Sequence, residues 1–248
     1  MITLMDNRQW NKEELIRKMY DDSFYYGYLS KTVLSSSSVK NLYSNPKNYY
    51  KELGKDISHI PAIRMGGLIH TMILEPEKIE TDYHFVNIGG RRTVTYQDAE
   101  VEYPNKKVML QSEFDEAKSL QFDLMIDESY KHFQGGKAEV PEVGILFGIP
   151  FRCKADYLKD NELIDLKTTS NLDEWVYDAR NKWHYDIQAY IYTKLFNIDK
   201  MTFVIIDKKT REIKTFQFSS EDMKIAEMKL QIAIHNFKLL DEGKRYIG

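Results

Sequence analysis

The second half of the chain alternates short runs of apolar residues with turn-forming residues, a pattern that predicts β-strands. Turns are expected at Gly148-Ile149-Pro150 and at Asp160-Asn161, where small and polar residues interrupt the apolar runs. Longer segments with helical spacing lie between and after the strands. The predicted elements, in the order β-β-β-α-β-β-α, span residues 138–147, 151–158, 162–167, 171–196, 201–206, 213–218 and 219–241.

The first half of the chain is predicted to be mainly helical. A run of four serines from Ser35 stands where a helix would begin, and the helix should end by Asn45 because a proline follows. Helical spacing recurs over residues 112–130, whereas residues 81–110 are polar and are expected to form a mobile segment or a loop with short structure.

These elements predict a single α/β domain over residues 1–248. Residues 1–130 form its mainly helical N-terminal part, and residues 131–248 form a core that combines strands with helices. A length of 248 residues is sufficient for one large domain with a substantial core.

Composition excludes several classes of protein. With 42% hydrophobic and 29% charged residues, the chain is that of a folded protein rather than a disordered one. Its single cysteine excludes a disulfide framework, a cysteine-rich zinc site and a cluster held by four thiolates. No signal peptide and no membrane span are predicted, so we expect a cytoplasmic protein without membrane contact.

Candidate chemistry is concentrated on the three predicted strands. Asp165 and Lys167 share one face of the third strand, and Asp156 lies near the end of the strand before it. Carboxylate oxygens are the ligands that Mg²⁺ or Mn²⁺ prefers, and a lysine beside a metal can orient an attacking water. Because the Asp-x-Lys tripeptide is short, its residues could also be solvated strand ends.

Two further acidic residues, Glu139 and Glu142, lie on the first of these strands. Side chains alternate along a strand, so these two should point to opposite faces unless a bulge intervenes. Only one of them is therefore expected at the site. On the helix that follows, Gln188 and Tyr192 are one turn apart and share a face.

The order of these residues resembles a known superfamily. Gly66-x-x-x-His70, Glu139, Asp156, Asp165-x-Lys167 and Gln188-x-x-x-Tyr192 are similar to the pattern of the RecB/RecE-like branch of the PD-(D/E)xK nucleases. The likeness covers residues 34–206 and is strongest to the phage and prophage exonucleases of the RecE type. It implies a restriction-endonuclease-like core, in which helices flank a central mixed β-sheet.

The resemblance implies a metal site and the residues that hold it. Asp156 and Asp165 would be the main ligands, and Glu139 would be the outer acidic residue, with Glu142 as the alternative. His70 would approach the metal from its helix, and the carbonyl of Leu166 would also serve as a ligand. One or two ions of Mg²⁺ or Mn²⁺ would be bound.

The resemblance also implies roles in catalysis and in DNA binding. Lys167 would position the attacking water, while Gln188 and Tyr192 would contact a DNA phosphate or brace the site; Tyr192 could equally pack its helix onto the sheet. A basic set in the polar segment could grip DNA or could be a solvated loop; its members are Arg91, Arg92, Lys106 and Lys107.

The function implied is metal-dependent hydrolysis of phosphodiester bonds at duplex DNA ends, in the 5′→3′ direction, during phage-type recombination. A single-strand annealing protein would be the partner, and a homo-oligomer is expected because relatives form rings around DNA. One alternative is a structure-specific or restriction-type endonuclease. Another is a non-catalytic nucleic-acid-binding module, although the intact set of Glu139, Asp156, Asp165 and Lys167 argues against it.

Overall fold

The computed structural model describes residues 1–55 and 60–247. Its largest sheet has five strands, and two small two-stranded sheets lie in the N-terminal part. In chain order, the strands of the described residues are β1 Ile2–Thr3, β2 Gln9–Trp10, β3 Tyr83–Val86, β4 Lys107–Leu110, β5 Lys137–Leu146, β6 Ile149–Lys159, β7 Glu162–Thr169, β8 Lys200–Asp207 and β9 Ile213–Phe216.

Helices make up most of the N-terminal part and cover the large sheet. The α-helices of the described residues are α1 Lys12–Lys18, α2 Leu29–Thr32, α3 Ser36–Ser44, α4 Tyr49–Glu52, α5 Pro61–Leu74, α6 Ile79–Asp82, α7 Val94–Glu102, α8 Gln111–Ile126, α9 Trp175–Asn181, α10 Tyr185–Phe196 and α11 Ser220–Ile247. Single π- or 3₁₀-helical turns occupy Ser23–Tyr28, Pro46–Asn48, Pro76–Lys78 and Glu128–Phe133.

The large sheet has the strand order β5-β6-β7-β8-β9. Its pairs are antiparallel except for β7 and β8, which run parallel and are connected through α9 and α10. The sheet is therefore mixed, as the sequence predicts. The β5–β6 turn is tighter than expected: Phe147 and Gly148 form it in positive-φ conformations, while Ile149 and Pro150 already belong to β6.

The sheet separates two apolar cores, and alternate residues of β8 enter them. Phe203 and Ile205 lie in the core beneath α3, α10 and α11, whereas Val204 and Ile206 lie in the core beneath α5 and α8. This full burial explains the continuous apolar run of β8, since parallel strands covered on both faces lack alternation. Helix α3 begins as expected, because the Ser35 hydroxyl accepts a hydrogen bond from the Ser38 amide.

The expectation of a loop over residues 81–110 is wrong. Strands β3 and β4 pair in parallel around α7 and form a small β-α-β unit that packs on α8 through Phe85 and Phe114. Both strands have four residues, which is too short for their alternation to be recognised. Among the described residues, no helix is long and apolar enough to cross a membrane.

Candidate active site

The candidate site lies where β6 and β7 separate. The two strands are paired only from Tyr157 to Lys159, opposite Glu162 to Ile164. Beyond this point, the Asp156 carboxylate takes the place of a backbone acceptor, and the Leu166 amide donates a 2.8 Å hydrogen bond to its Oδ2. This contact holds Asp156 beside β7, next to Asp165 and Leu166.

Asp165 is buried at the centre of the site, with 1% of its surface exposed. Gln188 of α10 donates a hydrogen bond from Nε2 to Oδ1, and the Lys167 ammonium forms an ion pair with Oδ2. The carboxylate is thus fixed on one side by an amide and compensated on the other by Lys167.

His70 reaches the site from α5 on the other side of Asp156. Its Nδ1 lies 3.4 Å from Oδ2 of Asp156, and the two side chains are 28% and 15% exposed. The helix brings the imidazole to the site because it packs on the sheet through Leu68 and Ile69, which are fully buried. A histidine enclosed by apolar groups in the core would not contact a partly exposed carboxylate. The contact with Asp156 therefore distinguishes His70 from such a core residue.

The structure separates the two glutamates of β5. The pairs Ala138 with Tyr157 and Val140 with Ala155 flank Glu139 and place it opposite Asp156. Its φ of 50° is left-handed, which costs a non-glycine residue about 1 to 2 kcal/mol, and such strain collects at functional sites. Glu142 instead forms an ion pair with Lys12 of α1, at 3.0 Å.

Burial and the charge of Asp156 raise the pKa of two carboxyl groups of the site. Burial, followed by the nearby charge of Asp156, raises the pKa of Asp165 to about 6. The same two causes raise the pKa of Glu139 to about 8. Burial alone would lower the pKa of Lys167, but the Asp165 carboxylate beside it raises the pKa instead, so the lysine remains charged.

This donor set fits a hard divalent cation. The Asp156 carboxylate contacts His70 and the Leu166 amide, and Glu139 lies opposite Asp156 on the neighbouring strand. Carboxylate and imidazole donors for such an ion are therefore present on adjacent elements. Among the described residues, no three acidic, histidine or cysteine side chains already lie close enough to hold a metal ion, and Asp165 is paired with Lys167.

The remaining predicted residues lie in different surroundings. Tyr192 is buried in the core with Cys153, and burial raises its pKa well above the usual value, so its surroundings favour a bracing role over contact with DNA. Arg91 forms an ion pair with Glu113. No hydrogen bond or ion pair within the described ranges joins Arg92, Lys106 or Lys107 to the site; the Lys106 ammonium donates to the Glu80 carbonyl.

Sequence reasoning missed a second lysine beside the carboxylates. Lys154 Nζ lies 4.0 Å from Glu139 and 2.8 Å from Asp22, and its ammonium lies 4.8 Å from the centre of the Tyr25 ring. Period-2 alternation on β6 could have identified it, because Lys154 is two residues before Asp156. Asp22 and Tyr25 could not be found this way, since they are distant in sequence.

Comparisons with known proteins agree with this geometry. The model of a family described as a PDDEXK-like domain of unknown function (DUF3799) matches residues 35–246. No curated protein is significantly similar in sequence.

Solved structures are similar to this chain to different degrees. A protein from Eubacterium rectale named "Putative exonuclease" superposes with a TM-score of 0.65 at 17% identity, over 95% of this chain and 88% of its own. A phage related exonuclease from Haemophilus somnus 129PT gives a TM-score of 0.38 at 15% identity, over 86% of this chain and 96% of its own. From the family match and the sheet with its carboxylate–lysine cluster, we conclude that the chain belongs to the PDDEXK-like domain family DUF3799, with the PD-(D/E)xK fold that its residue pattern predicts.

Proposed function

We propose that this protein is a metal-dependent DNA exonuclease that hydrolyses phosphodiester bonds at duplex ends. The observation that carries the proposal is the contact set at the β6–β7 separation: Asp156 held by the Leu166 amide, and Asp165 held between Gln188 and Lys167. If the Asp165–Lys167 ion pair only stabilised the fold, a further carboxylate would not be required beside it. Glu139 nevertheless lies opposite Asp156 with a strained, positive-φ backbone, which supports a functional site.

Each side chain has a definite part in this chemistry. Asp156, Asp165 and Glu139, with the Leu166 carbonyl and His70, would hold one or two Mg²⁺ or Mn²⁺ ions. When bound, a divalent ion lowers the pKa of a coordinated water and offsets charge on the phosphate. Lys167 orients the attacking water and stabilises the developing negative charge. Gln188 keeps Asp165 in position, and Tyr192 braces α10 behind it.

Direction and biological setting are also part of the proposal. The likeness to RecE-type exonucleases supports 5′→3′ digestion, a role in phage-type recombination and a single-strand annealing protein as partner. It equally supports a homo-oligomer around DNA. A net charge of −3 is compatible with DNA as substrate, because bound divalent ions reverse the local sign where a phosphate must lie.

The proposal is tested with end-labelled linear duplex DNA in Mg²⁺. We expect the wild type to release mononucleotides, EDTA to stop the release, and Asp165→Asn or Lys167→Met to lower the rate at least about 100-fold. Glu221→Gln and Lys224→Gln are matched controls, since both side chains are 73% exposed on α11. Digestion by Asp165→Asn at the wild-type rate would refute the site.

A covalently closed circle distinguishes the two modes of cleavage. An enzyme that requires an end leaves the circle intact and digests it after linearisation, whereas an endonuclease cuts both forms. Labels placed at the 5′ end or the 3′ end of the linear duplex report the direction of digestion. DNA binding without any release of nucleotides would indicate a binding module instead.

A further inference from the structure

The Tyr185 ring lies against two lysines that come from different parts of the chain. The Lys167 ammonium lies 4.8 Å from the centre of this ring, and the Lys40 ammonium lies 4.6 Å from it. Lys40 belongs to α3, Lys167 to β7, and Tyr185 is the first residue of α10. The fold therefore brings a second cation beside the proposed catalytic lysine, across one shared aromatic ring.

The two lysines differ in how their charges are compensated. Lys167 forms an ion pair with Asp165, whereas Lys40 makes no ion pair and no side-chain hydrogen bond with any described residue. Burial, followed by repulsion from Lys167, lowers the pKa of Lys40 to about 8. The charges of Asp165 and, more weakly, Asp186 act on Lys40 in the opposite direction, but Asp165 is paired with Lys167 and Asp186 is bound by Lys229 at 2.7 Å.

A half-buried ammonium that contacts an aromatic ring but no anion loses hydration that the ring replaces only in part, which lowers the stability of the folded state. Such an arrangement persists when a ligand supplies the missing charge. The required ligand is an anion that can lie beside the ammonium groups of Lys40 and Lys167. A phosphodiester of DNA has this charge and can accept hydrogen bonds from an ammonium group.

We propose that Lys40 binds a backbone phosphate of the DNA strand that enters the site, next to the phosphate that faces Lys167. This inference rests on the proposed nuclease function for the identity of the anion. Both ammonium groups lie beside the Tyr185 ring, so neighbouring phosphates of one strand can each meet one of them. Lys40 is thus a substrate-binding residue rather than a part of the metal site.

The test measures binding without cleavage. A fluorescent duplex oligonucleotide with hydroxyl ends is titrated in EDTA at several salt concentrations, so that only backbone phosphates are reported. We expect Lys40→Gln to raise the Kd about tenfold, because one charge-assisted contact is lost. The slope of log K against log salt should fall by about 0.9, which is the value for one phosphate contact.

Two variants and one stability measurement complete the experiment. Lys40→Arg should restore most of the affinity, and Lys47→Gln, exposed just after the same helix, should leave Kd unchanged. The Tm of Lys40→Gln should equal or exceed that of the wild type, since an uncompensated charge is removed. A structural role for Lys40 would lower the Tm instead and would overturn the inference.

The outcomes separate this inference from the proposed function. An unchanged Kd and salt slope for Lys40→Gln would overturn the inference, even if the wild type digests DNA. Loss of affinity in Lys40→Gln without any DNA digestion by the wild type would leave the phosphate site standing and refute the nuclease. Absence of DNA binding by the wild type would refute both.

Discussion

At the scale of single residues, the site depends on how each carboxylate is held. Asp165 is held by Gln188 and Lys167, Asp156 by the Leu166 amide and by His70. Within the described ranges, Glu139 has only Lys154 as an ion-pair partner, at 4.0 Å, and burial and the charge of Asp156 raise its pKa to about 8. Groups that orient a ligand from behind contribute to catalysis without touching the substrate.

Replacing Gln188 tests this kind of support. We expect Gln188→Met to lower kcat about 10- to 100-fold, because Asp165 loses the donor that fixes its orientation. Methionine has a similar volume, so the Tm should change little. Gln217→Met is the matched control, since Gln217 donates to Thr202 and makes no contact with the site. Equal rates for both variants would contradict the assignment.

At the scale of elements, the ends of helices and strands are determined by local hydrogen bonds. Ser219 and Asp222 cap α11 reciprocally: the Ser219 amide donates to Asp222, and the Asp222 amide donates to the Ser219 hydroxyl. Arg180 of α9 donates two hydrogen bonds to the same carboxylate. One side chain thus joins α9 to the start of α11.

This junction should make stability depend on pH. The hydrogen bonds from Arg180 lower the pKa of Asp222 to about 2, below its ordinary value of 3.8. The stabilisation is therefore complete above pH 3.8 and is lost as the pH falls through about 2. At pH 7, Asp222→Asn should reduce the free energy of unfolding by about 1 to 2 kcal/mol.

Urea unfolding at several pH values measures this effect. The difference between wild type and Asp222→Asn should narrow below about pH 4. Glu221 immediately precedes Asp222, but its side chain is 73% exposed. Glu221→Gln should therefore leave the free energy of unfolding close to that of the wild type at every pH. A difference that stays constant from pH 7 to pH 3 would show that the charge of Asp222 is not responsible.

At the scale of the whole molecule, the sheet is the rigid part that brings distant residues together. Its two faces are covered by separate cores, and the site lies where β6 and β7 separate between them. Helix α5 contributes His70 from one face, while α10 contributes Gln188 from the other. Removal of either layer would therefore disturb the site from one side.

A divalent ion that binds these carboxylates should stabilise the whole fold. At ten times its Kd, Mg²⁺ adds about 1.4 kcal/mol to the free energy of unfolding. For a chain of this size, that corresponds to a rise in Tm of about 3 to 5 °C. We expect this rise in the wild type and none in Asp165→Asn, with calorimetry in Mg²⁺ or EDTA as the measurement. An equal rise in both proteins would place the ion elsewhere.

The sequence by itself determined the order of the core strands and helices, because periodicity of apolar residues is a local property. It also predicted that Asp156, Asp165 and Lys167 would meet, since adjacent strands bring their ends together. It failed at residues 81–110, where the strands are too short for a clear alternation. The choice between Glu139 and Glu142 could not be made from alternation alone.

Only the tertiary structure decided which groups surround these carboxylates. The left-handed Glu139 opposite Asp156, the Lys12 contact of Glu142 and the approach of Lys40 to Tyr185 all join distant segments of the chain. Such contacts depend on how helices pack on the sheet, and local sequence carries little information about packing. Local periodicity therefore predicted the strand that carries Asp165 and Lys167, while long-range packing determined its environment.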